Sequence, residues 1–119
     1  MKELLTLVVP LLDRHELTNR VLENLNEQNC EFKIIIADGS VEEFDKLRVR
    51  YGVFYENLDT EYFYNGHDFD IHRYMNKMHN AFQKIETPFC MIFDNDDLID
   101  LNGIRRGLYF LSKNCLRKS

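Results

Sequence analysis

Short apolar segments alternate with amphipathic segments along the chain. Residues 4–9 and 89–93 are apolar runs, and residues 32–37 are rich in β-branched side chains, which is typical of strands buried in a parallel sheet. The segments that follow them show helical spacing. This β-α-β order, with right-handed parallel crossovers, predicts an α/β fold, a Rossmann-like three-layer α/β/α sandwich around a mostly parallel sheet. Residues 89–93 are expected to form a central strand.

The amphipathic segments predict helices with one apolar face each. Asp13 is expected to cap the first helix, with Glu16 completing a capping box, and Asp100 is expected to cap the last one. Arg105, Arg106 and Lys113 would point outward from the last helix. The residues expected to face inward are Leu17, Val21, Leu22 and Leu25; Ile71, Tyr74, Met75, Met78, Phe82 and Ile85, with the methionines filling core space; and Ile104, Leu108 and Leu111.

The middle of the chain has a weaker pattern. Residues 42–50 predict a short charged helix with Phe44 and Leu47 facing in, and residues 53–55 predict a weak strand. Residues 59–70 are polar and aromatic, and they are interpreted as a long loop over the edge of the sheet where a ligand would bind. Long loops in compact domains are often functional.

Composition limits the class of protein. The 119 residues carry a net charge of −5, and no block of Lys and Arg suggests a nucleic-acid surface, so residues 1–119 are expected to form one domain. No signal peptide or membrane-spanning segment is predicted. Cys30, Cys90 and Cys115 lack the spacing of a disulfide framework or zinc site, which favours the cytoplasm. The basic residues Lys113, Arg117 and Lys118 suit either a solvated tail or contact with the inner membrane face.

Acidic residues follow the last predicted strand. Asp94, Asp96 and Asp97 come directly after residues 89–93, and three clustered carboxylates are costly unless a cation or several donors offset them. A divalent cation with oxygen ligands is the natural partner, whereas the simpler interpretation is a solvated acidic turn. The edge would also contain residues 10–14 and 38–40, because ligands of open α/β sheets bind at the carboxyl ends of the strands.

The phosphate-binding motifs of other nucleotide-binding folds are missing. The sequence has neither G-x-G-x-x-G after the first strand nor G-x-x-x-x-G-K-[ST] anywhere. Carboxylates bind phosphate only through a metal ion, and Asp38 is placed to accept a hydrogen bond from a base or ribose. The pattern therefore indicates a nucleoside diphosphate held by a divalent cation.

Three motifs, in order, resemble the N-terminal, nucleotide-binding half of family 2 glycosyltransferases, which have the GT-A fold. They are the strand, proline and Arg-containing loop of LLTLVVPLLDR at residues 4–14, the strand and turn IIIADGS at 34–40, and TPFCMIFDNDD at 87–97, which contains the Asp-x-Asp-Asp motif. This resemblance implies binding of a nucleotide-diphosphate sugar, usually a UDP-sugar, with Mn²⁺ or Mg²⁺ as cofactor. It also implies glycosyl transfer to a hydroxyl of a glycan, a lipid-linked group or another acceptor.

The resemblance also implies residue roles. Asp38 would accept a hydrogen bond from the base, and Asp94 and Asp96 would contact the ribose and the metal, with Asp97 sharing metal ligation. Lys77 or His79 would supply a basic group near the nucleotide. The remaining residues expected to line the nucleotide site are Pro10, Leu11, Arg14, Gly39 and Asn95.

The chain departs from the family pattern at two places. Leu11 and Leu12 replace the usual polar or aromatic residues of the first loop, so base contacts there would come from the backbone. Nothing after Asp100 is acidic, so the general base that deprotonates the acceptor is expected beyond Ser119. Either the chain is truncated relative to a full GT-A domain, or a second copy or another partner chain completes the site.

Other interpretations remain open from the sequence. Asp38 could form only an Asx-turn, and Arg14 and Lys77 could be solvated surface charges. A non-catalytic nucleotide-binding or partner module, a sugar-phosphate nucleotidyltransferase and a phosphoacceptor signalling domain also place carboxylates or ligands at strand ends. A zinc site would have to use the loosely spaced histidines His67, His72 and His79.

Overall fold

The computed structural model describes residues 1–43, 57–94 and 97–114. Most of the predicted helix at 42–50 and all of the predicted strand at 53–55 lie outside these residues. The described strands are β1 (Leu5–Leu11), β2 (Lys33–Asp38), β3 (Thr60–Tyr64) and β4 (Phe89–Ile92). The described helices are α1 (His15–Glu27), α2 (Ile71–Phe82) and α3 (Leu101–Asn114). None of these helices is both long and apolar enough to cross a bilayer.

The described strands form one parallel sheet in the order β3-β2-β1-β4. β1 lies between β2 and β4, and every side chain from Leu5 to Leu11 is buried. The predicted α/β fold is therefore confirmed. β1 continues through Pro10 to Leu11, two residues past the predicted end at residue 9. Residues 10 and 11 pair with Ala37 and Asp38.

Helices cover both faces of the sheet. One apolar core joins alternate residues of β1 and β2 to α1 and α3, and it contains Val21, Leu22, Leu25, Leu101 and Leu108. The opposite core is smaller, and α2 contributes Met78 and Ala81 to it. The three-layer arrangement therefore places the carboxyl ends of the strands at one edge, where ligands of such folds bind.

The segment interpreted as a loop at 59–70 contains a strand. Residues 60–64 form β3, which pairs in parallel with β2 from Thr60 opposite Ile34 to Tyr64 opposite Asp38. The sequence Thr-Glu-Tyr-Phe-Tyr consists mainly of β-branched and aromatic residues, which pack well on a pleated surface, so the interpretation as loop was wrong there. Residues 65–70 form the connection to α2.

The prediction that residues 89–93 form a central strand is also wrong for the described sheet. β4 lies at its edge, where it pairs with β1, and burial alternates along it. Cys90 and Ile92 are exposed, whereas Phe93 is buried just after the strand. An unbroken apolar run does not distinguish an edge strand from a central one, because both have alternating faces and only the neighbouring elements decide burial.

The predicted apolar stripe of α2 is largely exposed. Ile71, Met75 and Phe82 are 62%, 61% and 43% exposed, whereas Lys77, Met78 and Ala81 are the buried residues of this helix. The helix was therefore predicted correctly and Met78 is buried as expected, but Lys77 and Ala81 share the buried face in place of Ile71, Met75 and Phe82. Asp70 caps the helix by accepting a hydrogen bond from the Arg73 backbone N–H at 2.9 Å.

The ends of the other helices also test the predictions. Asp100 caps α3 as expected, accepting the Asn102 N–H at 3.0 Å, but Leu111, expected to face inward, is exposed. Arg105, expected to point outward, forms an ion pair with Glu31 at 2.9 Å. Asp13 does not cap α1. The cap position is occupied by Arg14, which makes no side-chain cap hydrogen bond.

Candidate functional site

A cleft of about 520 Å³ opens at the carboxyl edge of the sheet. Its wall contains the end of β1, the start of α1, the connection between β3 and α2, the first turns of α2 and the residue after β4. This volume is in the range of pockets that hold small ligands. The lining residues are Pro10, Leu11, Leu12, Arg14, Asp68, Asp70, Ile71, Tyr74, Lys77 and Asp94.

Hydrogen bonds join the ends of β1 and β2 below the cleft. The Gly39 N–H donates to the Leu11 carbonyl at 2.9 Å, and the Asp13 N–H donates to Ser40 Oγ at 2.7 Å. In return, the Val41 N–H donates to Asp13 Oδ1 at 3.1 Å. Asp13 therefore serves as a bridge to the neighbouring strand end rather than as a helix cap, which explains why the capping prediction failed.

The backbone is strained where β1 turns into α1. Asp13 and Arg14 have φ values of 60° and 57°, in the left-handed region that residues with a Cβ rarely adopt. The bridge between Asp13, Ser40 and Val41 holds this conformation. As a result Arg14, which is exposed, lies in the cleft wall at the first turn of α1.

Lys77 lies buried in the wall of the cleft. Its side chain is 1% exposed, its Nζ donates to the Leu11 carbonyl at 3.0 Å, and it forms an ion pair with Asp68, whose side chain is 3% exposed. The Lys77 ammonium also lies 5.1 Å from the centroid of the Tyr74 ring. It is not the solvated surface charge that the sequence left open.

Gly39 allows Asp68 to reach this position. A Cβ on Gly39 would lie 2.1 Å from Cγ of Asp68, and the Asp68 N–H donates to the Gly39 carbonyl at 2.7 Å. The Asp68–Lys77 pair thus connects the ends of β1 and β2, the connection after β3, and α2. Three of these segments, the end of β1, the connection after β3 and α2, line the cleft, so the pair helps to fix the shape of its wall.

Asp38 is fully buried and does not belong to the cleft-lining residues. Its Oδ1 accepts the Ser40 N–H at 2.9 Å, which is the Asx-turn that the sequence left open, and its Oδ2 accepts a hydrogen bond from the Tyr62 hydroxyl at 2.6 Å. Tyr64, on the same strand as Tyr62, donates from its hydroxyl to the Ser40 carbonyl at 2.8 Å. The carboxylate therefore supports the turn beside the cleft.

The acidic motif after β4 is described in part. Asp94 lines the cleft and is exposed, and its N–H lies 3.3 Å from Oδ2 of Asp97, which is also exposed. Asn95 and Asp96 lie outside the described residues. Among residues 1–43, 57–94 and 97–114, no three His, Cys, Asp or Glu side chains form a group that could hold a metal ion. His67, His72 and His79, all of them described, therefore do not form the zinc site considered from the sequence.

The structure brings together five of the predicted nucleotide-site residues in the cleft wall: Pro10, Leu11, Arg14, Lys77 and Asp94. Asp68 and Asp70 lie in the segment that was expected to cover the ligand-binding edge, although neither was named as a site residue, whereas Ile71 and Tyr74 were expected to face the core. Asp68 gave no local signal, because its partners Gly39 and Lys77 are distant in sequence. Two cationic side chains, Arg14 and Lys77, face three acidic ones, Asp68, Asp70 and Asp94, so the lining has a formal charge of 2 − 3 = −1.

Comparison with known proteins shows that this fold is shared with solved structures. The chain is similar to the crystal structure of S. aureus TarS 1–349, a wall teichoic acid glycosyltransferase, with a TM-score of 0.72 and 16% sequence identity. The match covers 92% of this chain and 32% of the TarS chain, so the chain spans about a third of that structure's length. No protein-family model and no curated protein sequence matches.

Proposed function

We propose that the cleft binds the nucleoside-diphosphate part of a sugar donor, most simply a UDP-sugar, and that the chain is the donor-binding part of a family 2 glycosyltransferase. The observation that carries this proposal is the convergence of Leu11, Arg14, Lys77 and Asp94 on one cleft at the carboxyl edge of the parallel sheet. The fold shared with TarS, a glycosyltransferase, supports the same reaction class.

The parts of the cleft suit different parts of such a donor. Pro10, Leu11, Ile71 and Tyr74 offer apolar surface for a base, and the Tyr74 ring has the π-face on which a base stacks. Arg14 is an exposed cation beside the N-terminus of α1, where anionic groups are stabilised. The diphosphate is therefore assigned to the side of the cleft near Arg14 and Asp94.

The acidic residues after β4 fit a divalent cation. Asp94 and Asp97 are exposed, and the Asp94 N–H donates to Oδ2 of Asp97. Their carboxylates are the hard oxygen donors that Mn²⁺ and Mg²⁺ prefer, and Asp96 would be a third donor. Such a cation neutralises charge on a leaving nucleoside diphosphate when it is bound. The residues of this chain would hold the donor while an acceptor hydroxyl attacks the anomeric carbon.

The transfer step needs one group that residues 1–119 do not supply in this proposal. A bond forms between the acceptor oxygen and the anomeric carbon as the bond from that carbon to the diphosphate oxygen breaks. The proton of the acceptor hydroxyl passes to a carboxylate base outside these residues. The acceptor is a hydroxyl of a glycan, a lipid-linked group or another molecule. The chain alone should therefore bind the donor better than it transfers the sugar.

Calorimetric titration with UDP, with and without Mn²⁺, tests the proposal. We expect binding that depends on the metal and that falls at least tenfold in Asp94→Asn and in Asp97→Asn. Asp59→Asn is the matched control, because Asp59 is an exposed carboxylate just before β3, at the opposite edge of the sheet. Absence of metal-dependent UDP binding, or equal losses in Asp59→Asn and Asp94→Asn, would contradict the proposal.

A further inference from the structure

We infer that Asp68 determines which base the cleft accepts, by taking a hydrogen bond from a ring N–H group, and that Lys77 holds Asp68 in position for this. This inference rests on the proposed function, because it assigns the base of the same nucleotide. It selects bases that carry a ring N–H at this edge, such as uracil, over those with a bare ring nitrogen, such as cytosine.

The first observation is that the two oxygens of Asp68 differ. Oδ2 is paired with the Lys77 ammonium, whereas Oδ1 is buried and accepts no hydrogen bond in the described part of the chain. A buried carboxylate oxygen without a donor is costly, and native structures rarely retain one without a reason. Because Asp68 lines the cleft, a bound ligand is the natural source of the missing donor.

The second observation is that the surroundings of the carboxylate restrict the direction of approach. On one side it lies against Gly39, where even a Cβ would be 2.1–2.3 Å from its Cγ and oxygens. Another side is occupied by Lys77, which is itself anchored on the Leu11 carbonyl at 3.0 Å. Asp68 also belongs to the lining of the cleft. The side chains of Asp68 and Lys77 are 3% and 1% exposed, so the N–H group of the ligand has to reach the innermost part of the cleft.

The chemistry of the bases then decides the preference. An ionised carboxylate accepts hydrogen bonds but cannot donate them, whereas an ammonium donates hydrogen bonds but cannot accept them. Uracil presents its N3–H donor between two carbonyl acceptors. Asp68 Oδ1 can accept a hydrogen bond from N3–H, and the Lys77 N–H that is not used by Leu11 or Asp68 can donate one to a uracil carbonyl. Cytosine presents a bare N3 with a lone pair, which a carboxylate repels.

Asp38, the residue to which the family resemblance assigns base recognition, is less suited in this chain. Both of its oxygens accept hydrogen bonds, from the Ser40 N–H and the Tyr62 hydroxyl, and its side chain is absent from the cleft lining. Asp68 is the buried carboxylate that lines the cleft. The inference therefore moves base recognition from the end of β2 to the connection that follows β3.

The variant Asp68→Asn tests the inference directly, because it should invert the preference for UDP over CDP. The Lys77 ammonium needs an acceptor, so the amide oxygen stays on Lys77 and the amide NH₂ replaces Oδ1. The cleft then offers a donor, which suits the bare N3 of cytosine and opposes the N3–H of uracil. We expect the wild-type chain to bind UDP about 10- to 100-fold more tightly than CDP, and the variant to bind CDP more tightly.

UDP and CDP have the same ribose and diphosphate, so contributions from the metal and the phosphates cancel in the ratio of their dissociation constants. Asp59→Asn is the matched control, since it removes the same charge from an exposed position just before β3, outside the cleft lining. It should retain the wild-type ratio. If Asp68→Asn retains that ratio, or if Asp38→Asn changes it instead, the inference is overturned.

A second measurement uses the unaltered protein and does not depend on how any variant folds. UDP methylated at N3 lacks the donor, so its binding should be at least tenfold weaker than that of UDP; equal binding overturns the inference. If the wild-type chain binds UDP and CDP equally, base selection by Asp68 is rejected while nucleotide binding stands. If it binds neither, with or without Mn²⁺, the proposed function itself is rejected.

Discussion

The backbone of Gly39 lies in direct contact with the carboxylate of Asp68. A Cβ on Gly39 would be 2.1 Å from Cγ and Oδ2 of Asp68, closer than real Cβ contacts come. The glycine directly follows β2 and the aspartate precedes α2, so this contact sets how closely the connection after β3 approaches the strand end. Both residues are additionally joined by the hydrogen bond from the Asp68 N–H to the Gly39 carbonyl at 2.7 Å.

Gly39→Ala is therefore expected to displace Asp68 and open the wall of the cleft. Crowding of this kind typically costs about 1–3 kcal/mol of unfolding free energy, measurable by urea denaturation. The double variant Gly39→Ala, Asp68→Gly should be less destabilised than the sum of its single variants, because it removes the clashing atoms. If the double variant loses as much unfolding free energy as the two single variants together, the steric explanation is contradicted.

Lys77→Met is expected to be more destabilising. It leaves the buried Asp68 side chain without its cation, and the Leu11 carbonyl keeps the Gly39 N–H as a donor but loses the Lys77 ammonium. Breaking a buried ion pair from one side typically costs about 3–5 kcal/mol. Adding Asp68→Asn should recover part of this loss, because a neutral amide is less costly to bury than an unpaired carboxylate. Urea denaturation of both variants measures the difference, and no recovery would show that the pair contributes little.

The hydrogen bond between Tyr62 and Asp38 should contribute measurably to stability. The Tyr62 hydroxyl donates at 2.6 Å to a fully buried carboxylate, and bonds to charged groups are the stronger kind. Tyr62→Phe should lower the unfolding free energy by roughly 1.5–3 kcal/mol. Tyr64→Phe is the control, since its hydroxyl donates to a neutral carbonyl at 2.8 Å, and it should cost less. A larger loss in Tyr64→Phe would reverse this ranking.

The pair formed by Glu31 and Arg105 predicts a pH dependence of stability. Burial alone would raise the pKa of Glu31, but the hydrogen bonds and charge of Arg105 outweigh it and hold this pKa below the ordinary value of 4.5. The folded state thus binds the Glu31 proton less readily than the unfolded state. The pair's contribution is complete above about pH 4.5 and is lost as the pH falls through the lower folded-state pKa.

Glu31→Gln should therefore flatten the loss of thermal stability on the acid side of pH 4.5. The expected difference at neutral pH is below about 1 kcal/mol, because the two side chains are 34% and 26% exposed and water screens them. Melting temperatures from pH 3 to pH 7 measure the effect, with Glu27→Gln, an exposed residue of α1, as control. Identical pH profiles for Glu31→Gln and the wild type would reject this role.

Much of the sheet follows from local sequence, because apolar and β-branched runs have few alternatives to strands. β1, β2 and β4, and the three helices, coincide with predicted segments to within a few residues. β3 was missed because its polar and aromatic composition resembles a loop until it is paired with β2. Which face of α2 is buried also escaped prediction, because burial there depends on what the rest of the molecule covers.

The candidate site was less predictable than the fold. The ends of β2 and β4 are indicated by Asp38 and Asp94, because polarity changes abruptly there. The pairing of Asp68 with Lys77 joins residues from different elements, and no periodicity in the sequence encodes it. The capping pattern at Asp13 was also misleading, because Asp13 forms hydrogen bonds with Ser40 and Val41, 27 and 28 positions away, and these cannot be predicted from local spacing.

The position of β1 has a consequence for synthesis on the ribosome. This strand is made before the other described strands, yet it lies inside the sheet, and its pairing from Leu5 onward is completed only when residues 89–92 have emerged. Until residues 89–92 are made, a seven-residue, mainly apolar segment therefore has an open edge, the kind of segment that promotes aggregation or recruits chaperones. Pro10, which lacks a backbone N–H, limits the foreign strands that can pair there in the meantime.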